Sequence, residues 1–358
     1  MAIIGSVGVP CKYGGFETLA HQLVLQLNPV FDLTVYNSGK FYPKKERQQK
    51  WQNANMVYIP LNANGVQSVP YDIIAMLHAI VKSDCLVVLG VSGCLFLPLL
   101  KLFSKKRIVV NIDGLEWRRA KWSKYAKWFL KFSEKMAVRY ANDIVTDNAA
   151  LQEYAAEYYG IKSKLIAYGG DHNSFTPLND ELKTKYAFLN QDYAFKVCRI
   201  EPENNIHIVL DAFENYADLP LVVVGNWDNS IYGKELKEKY ENCAHIYLLN
   251  PIYEANLLNA LRSNAKVYVH GHSAGGTNPS LVEAMYLGLA VIAFDVSYNR
   301  VTTHNEAMFF ADSESLKKIL TNLSKDKLIQ NAAVLKKIAD ECYTWQVIAQ
   351  KYAEVING

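Results

Sequence analysis

Residues 270 to 283 read His-Gly-His-Ser-Ala-Gly-Gly-Thr-Asn-Pro-Ser-Leu-Val-Glu, and two chemistries fit that spacing. Gly271-His272-Ser273-Ala274-Gly275 has the G-x-S-x-G pattern of a hydrolase nucleophile elbow, in which the serine sits on a sharp strand-to-helix turn. Alternatively, Gly275, Gly276, Thr277 and Asn278 lead into a helix whose first amides and dipole suit a phosphate. Asn278 is a good N-cap and Pro279 a good first helical residue, so the helix is predicted to open well beyond Ser273. That spacing takes Ser273 off the turn and favours the phosphate cradle. Ser280 then lies in the first turn, and Glu283 one turn in, where a carboxylate can accept ribose hydroxyls. Glycines that merely turn the chain are the plain alternative.

A second glycine loop, Gly5-Ser-Val-Gly-Val-Pro-Cys-Lys-Tyr-Gly-Gly-Phe-Glu17, links the first apolar run to the first helical pattern. Gly14 and Gly15 let backbone approach a ligand, and Lys12 offers a point charge or is simply solvated. The spacing is not G-x-G-x-x-G, so a dinucleotide fold is not supported. Arg199 follows the run Phe-Lys-Val-Cys, where it either grips a diphosphate through paired hydrogen bonds or pairs with Glu201 or Glu203. Asp113 and Glu116 follow another strand-like run and suit orienting an acceptor hydroxyl or taking its proton; helix capping by Asp113 is the alternative. His270 and His272 alternate on a strand end and are expected to point to opposite sides, which disfavours a shared metal. No Asp-x-Asp occurs, so no metal-bridged diphosphate is expected.

Residues 117 to 140, WRRAKWSKYAKWFLKFSEKMAVRY, hold eight Lys/Arg and one acid, Glu134. Trp122, Tyr125, Phe129, Phe132 and Met136 recur at helical spacing, giving an aromatic stripe bordered by lysines. That composition suits a helix lying in a membrane interface, or one packed on its own sheet with a solvated basic face. No nucleic-acid motif accompanies the charge, so nucleic acid is not the expected partner.

The elements that must position these residues follow from the pattern of the chain. Strand-like runs alternate with helical ones: AIIGSVG, LTVYN, MVYIP, CLVVLG, RIVVNID and DIVTDN, then FKVCRI, LVVVGN, HIYLLN, KVYVHGH and AVIAF. Such alternation implies parallel strands with crossover helices. With 358 residues, the chain suits two α/β doubly wound, Rossmann-like domains facing across a cleft. The boundary is predicted in KLIAYGGDHNSFTPLND, giving a first domain over 1–168, a second over 169–340, and a C-terminal helix over 341–358 that crosses back. Residues 1–170 carry 21 Lys/Arg and 12 Asp/Glu, a charge of +9, against −6 in the remainder, which suggests an anionic partner for the first domain. Six scattered cysteines encode neither zinc site nor disulfide framework and fit reduced thiols in a cytoplasm. No basic stretch precedes Ala2-Ile3-Ile4, so no signal peptide is expected, and Cys85 to Leu100, broken by Gly90, Gly93 and Pro98, is too short to span a bilayer.

Together these residues resemble the retaining glycosyltransferases of the GT-B fold, family four. PCKYGGFE is similar to that family's N-terminal diphosphate loop, IAYGGDH to its interdomain I-P-N-G-V-D, CRIEPENN to G-R-L-x-P-E-K-N, GGTNPSLVE to its E-x7-E segment, and TWQVIAQKYAEVI to its returning helix. VGVPCKYGGFETL and NIDGLEWRRAKW are most similar to bacterial rhamnosyltransferases of cell-wall and capsular polysaccharide synthesis, the beta-1,4-rhamnosyltransferase type. The resemblance implies transfer of L-rhamnose from dTDP-L-rhamnose to a polyprenyl-diphosphate-linked saccharide at the inner face of a bacterial plasma membrane. It implies no cofactor, the nucleotide sugar being a substrate. Carried over by position, Gly14, Gly15 and Arg199 with the amides at Thr277 and Asn278 meet the diphosphate, Glu283 holds the ribose, and Asn250 to Tyr253, Ile252 included, line the base. Asp113 takes the place of a family histidine near the sugar. Two positions depart from the family: Asn204 stands for the lysine of P-E-K-N, for which Lys12 or Arg199 is expected to compensate, and Gly275 for the first glutamate of E-x7-E. The other readings are a serine hydrolase using Ser273 and a non-catalytic binder of nucleotide sugars or glycans.

Overall fold

The apolar runs become strands because each is short, rich in β-branched residues and closed by a glycine or polar turn. The computed structural model describes every residue except Tyr13, Asp113, Glu116, Arg118, Arg119, Ala120 and Lys121. Two compact units result, Met1–Tyr168 with Trp345–Gly358, and Gly169–Thr344.

The first unit contains β1 (Ala2–Ile4), β2 (Thr34–Ser38), β3 (Lys50–Trp51), β4 (Ala54–Ile59), β5 (Cys85–Leu89), β6 (Arg107–Asn111), β7 (Asp143–Thr146) and β8 (Lys164–Leu165). Its helices are α1 (Gly15–Leu27), α2 (Ser68–Lys82), α3 (Leu97–Phe103), α4 (Lys124–Tyr140) and α5 (Ala149–Tyr159). The sheet order is β3-β4-β2-β1-β5-β6-β7-β8. All pairings are parallel except that of β3 with β4. Both faces are covered, as a parallel sheet requires. Ile3, Val35, Val87 and Val109 pack under α1 on one face, and Ala2, Ile4, Leu86, Val88, Ile108 and Val110 under α2, α3 and α4 on the other.

The second unit contains β9 (Ala194–Val197), β10 (Leu221–Val224), β11 (Ile246–Leu249), β12 (Val267–His270), β13 (Ala290–Phe294) and β14 (Met308–Phe310). Its helices are α6 (Asp180–Lys185), α7 (Ile206–Glu214), α8 (Ile231–Tyr240), α9 (Ala255–Ser263), α10 (Pro279–Tyr286), α11 (Ser297–Thr302), α12 (Ser313–Thr321) and α13 (Lys325–Cys342). The wholly parallel sheet has the order β11-β10-β9-β12-β13-β14. The chain then returns to the first unit as α14 (Trp345–Asn357), whose Trp345, Ile348, Ala349, Tyr352, Val355 and Ile356 join the core beside α1. Within each unit the strand order reverses beside the first strand, at β1/β5 and at β9/β12. Open α/β sheets bind ligands at such reversals, beyond the carboxyl ends of the strands.

The structure departs from the sequence reading in three elements. β3 and β14, two and three residues long, fall below the length at which alternation is legible. The helix expected across 117–140 starts only at Lys124, where Ser123 caps it by accepting from the Ala126 amide. Its aromatic stripe also divides: Phe129 and Trp122 pack on the core, while Tyr125 (88% exposed) and Phe132 (41%) face outward, Phe132 stacked at 5.8 Å on Trp128, which lies outside the stripe and is itself exposed. All six cysteines are free thiols, and no helix of the described residues is long and apolar enough to cross a membrane.

Candidate functional site

In the second unit, the loop from β12 to α10 is built as its residues demand. Gly275 takes φ +105°, a left-handed conformation that a side chain disfavours. Asn278 then caps α10, accepting from the Ser280 amide at 3.0 Å and from the Ser280 hydroxyl at 2.7 Å, with Pro279 opening the helix. The first amides of α10 therefore lie at the carboxyl end of β12, beside the strand reversal. Gly276 and the buried Thr277 complete the turn. Ser273 is a strut: its amide and its hydroxyl both donate to the Glu203 carbonyl, at 2.8 and 3.0 Å. A serine nucleophile needs a base within hydrogen-bond reach, and Ser273 has none among the described residues.

The loop after β9 is laced to the loop after β12. Asn204 donates to the Arg199 carbonyl at 2.8 Å and its Oδ1 lies 2.9 Å from Nδ1 of His272, while Asn205 donates to the Gly271 carbonyl at 2.9 Å. Asn204 is buried, so its amide acts as a clasp between the two loops. Arg199 is exposed; of its two expected acid partners Glu201 is engaged, loosely, at 3.9 Å. The expectation that His270 and His272 point to opposite sides is corrected: residues two apart on a strand line the same face, and both rings, at and just beyond the end of β12, are buried with centroids 6.2 Å apart. Burial, with Lys196 and His272 nearby, holds the His270 pKa well below that of a free histidine.

Glu283 sits in a charge network that sequence reasoning missed. Arg262, at the end of α9 and 2% exposed, pairs with one Glu283 oxygen, and Nε2 of His172 lies 3.3 Å from the other. Arg262 also donates to Asn173 Oδ1 at 2.9 Å and to Asn259 Oδ1 at 3.0 Å. Burial alone would raise the Glu283 pKa, but Arg262 and the contact with His172 outweigh it and bring it down to about 2. Glu283 is therefore an anion over the whole ordinary pH range, able only to accept hydrogen bonds. Ile252 lies half-buried in the loop after β11, two strands from β9.

In the first unit, Gly14 (φ +122°) and Gly15 form the start of α1 at the carboxyl end of β1. Glu17, in the first turn, accepts from the Val7 amide at 2.7 Å and holds the preceding loop. The Lys12 ammonium pairs with Glu46 at 2.5 Å. Its expected role in compensating for Asn204 is therefore weakened, because the charge already has a partner on its own unit. Asp113 and Glu116 lie outside the described residues. The lone acid of the basic segment, Glu134, is buried and accepts from the Tyr154 and Tyr159 hydroxyls at 3.0 and 2.7 Å, which fixes α4 against α5.

Residues 179–341 match the family described as "Glycosyl transferases group 1", and residues 1–171 the family described as "Domain of unknown function (DUF1972)". No curated protein matches the chain. Among solved structures it is similar to sucrose-phosphate synthase from Thermosynechococcus elongatus, with TM-score 0.81, 15% identity, and coverage of 99% of this chain and 98% of that one. It is also similar to Anabaena HepE in complex with UDP, with TM-score 0.77, 15% identity, and coverage of 99% and 98%. A third, the trehalose 6-phosphate synthase of Burkholderia multivorans, gives TM-score 0.73, 10% identity, and coverage of 99% and 95%. With two parallel-sheet units that match these structures, the chain has the GT-B fold, and residues 179–341 match the glycosyltransferase group 1 family.

Proposed function

We propose that the protein transfers a sugar, L-rhamnose from dTDP-L-rhamnose, to a polyprenyl-diphosphate-linked saccharide acceptor at a membrane surface. The observation that carries the transferase reading is the convergence, in the group 1 domain, of Arg199, the α10 amides and an ionised Glu283 around one strand reversal. HepE, of similar fold, has been seen with UDP and with UDP-glucose, which supports a nucleotide-sugar donor. The choice of rhamnose rests on the likeness of VGVPCKYGGFETL and NIDGLEWRRAKW to rhamnosyltransferases. Arg199 and the helix amides bind the diphosphate and stabilise the charge that develops on it as the glycosidic bond breaks. Glu283 accepts ribose hydroxyls. The acceptor attacks from the face the phosphate leaves, and the leaving phosphate takes its proton, giving retention; Asp113 orients the acceptor. No metal is invoked.

The test is a thermal-shift panel of dTDP-, UDP- and GDP-sugars. A ligand at a hundred times its Kd stabilises the native state by about 2.7 kcal/mol. dTDP-L-rhamnose is expected to raise Tm by several degrees. Arg199→Ala should weaken donor binding about tenfold or more without lowering the ligand-free Tm, since an exposed, loosely paired arginine contributes little to stability. No shift with any of these sugars would refute the donor reading.

Membrane docking is supported by a surface wider than the basic segment itself. Tyr125, Trp128 and Phe132 on α4 are exposed, as are Leu99, Leu102 and Phe103 (86%) on α3, with Lys101, Lys105, Lys124, Lys127 and Lys135 in the same two segments. Apolar side chains rimmed by lysines suit an anionic bilayer. Changing Lys124, Lys127 and Lys135 to glutamate should lower partitioning onto phosphatidylglycerol vesicles about a hundredfold or more, at roughly 1 kcal/mol per lysine. Unchanged co-sedimentation would rule out this surface.

A further inference from the structure

Among the described residues, Lys196 is the one lysine that is buried, at 1% exposure. It lies in β9 between Phe195 and Val197, a single charge within an apolar strand. Its Nζ has neither a hydrogen-bond nor an ion-pair partner among the described residues. A buried ammonium without a partner opposes folding, and buried polar groups are normally satisfied, so an unmet one asks what it is kept for. The side chain ends against Gly271, the first residue beyond β12, where a Cβ would stand 2.9 Å from Nζ and would also meet the Asn204 carbonyl. Gly271 thus leaves room for the ammonium at the end of the strand. Beside it, the buried Nε2 of His270 also lacks a partner.

The place is as informative as the charge. Lys196 comes from β9 and Gly271 follows β12, the two neighbouring strands at which the sheet order reverses. Arg199 stands two residues beyond the end of β9, and the loop that begins at Gly271 runs into the N-terminus of α10. Burial lowers the Lys196 pKa, and Lys196 in turn disfavours protonation of His270, so the spot is short of negative charge.

We propose that Lys196 is a diphosphate-binding residue of the donor site, its ammonium meeting a phosphoryl oxygen of a nucleoside diphosphate across Gly271 while Arg199 takes the exposed side. The proposal rests on the donor reading above and adds the second cation, which Lys12, paired on the other unit, does not provide.

The test uses the full chain and its Lys196→Met variant, an apolar replacement of similar length. Calorimetric titration with dTDP and UDP, and with thymidine and uridine, is combined with ligand-free melting. The variant should melt at or above the wild-type temperature, because an unpartnered buried amine has been removed, and should bind nucleoside diphosphate about tenfold more weakly or worse while nucleoside affinity is unchanged. Wild-type diphosphate affinity in the variant would overturn the proposal. So would a markedly lower melting temperature, or an equal loss for diphosphate and nucleoside, since either makes the lysine structural. If the wild-type chain itself binds no nucleoside diphosphate, the donor reading fails, and that outcome is visible before any variant is made.

Discussion

Arg262→Ala is expected to destabilise the second unit by about 3–5 kcal/mol, the cost of leaving a buried charge without its partner. Arg262 holds Glu283, Asn173 and Asn259 at once, so its removal strands a carboxylate and two amide oxygens. Calorimetric melting should show the loss as a fall in Tm on the order of 10 °C for a unit of this size. Arg262→Lys should recover only part of it, because an ammonium lacks the planar fork that reaches several acceptors. The pH dependence gives the sign independently. The folded-state pKa of Glu283, near 2, lies below its ordinary 4.5, so the network contributes stability that is fully present above pH 4.5 and is lost as pH falls toward 2. In the alanine variant that acid-side loss should shrink, leaving the part due to His172. A variant that melts like wild type at pH 7 would show that the network contributes nothing to stability.

Deleting residues 345–358 should prevent the first unit from folding, although every strand of its sheet would remain. Six side chains of α14 fill the core beside α1, five of them large, and at about 1.5–3 kcal/mol for each large one their loss is comparable to the whole 5–15 kcal/mol stability usual for a domain. Trp345→Ala alone should cost about 3–5 kcal/mol. The helix is also joined by polar contacts: the Asn111 side chain donates to the Tyr352 hydroxyl at 2.9 Å, and Arg107 donates to the Val355 carbonyl at 2.9 Å. The readout is solubility and the near-ultraviolet circular dichroism of the first-unit tryptophans. A soluble, cooperatively melting truncation would contradict the account.

Local signals were the legible ones. Each long apolar run became a strand, and Asn278-Pro279 marked the start of α10 to the residue, because caps and strand runs are written in adjacent positions. The GT-B architecture was readable from the alternation of these elements and from the resemblance. The Arg262 network was not, since His172, Asn173, Asn259 and Glu283 converge only through the fold and carry no shared spacing. Lys196 did have a signal, a charge inside Phe-Lys-Val-Cys, which the adjacent Arg199 overshadowed. The aromatic stripe of α4 misled because recurrence at three and four residues marks a face only where the helix has begun, and Trp122 precedes it. Ser273 shows the limit of a five-residue motif: its spacing is that of a nucleophile, and its hydrogen bonds are those of a brace.

Because α14 follows the second unit along the chain yet completes the first, the order of sequence and the order of assembly differ. On the ribosome, the β1–β8 segment emerges earliest but waits with one flank of its sheet bare, while the contiguous stretch from Gly169 to Thr344 can close on itself. The nascent protein therefore exposes an apolar flank of its N-terminal sheet for the time the second unit takes to be made, a window in which chaperone capture matters most.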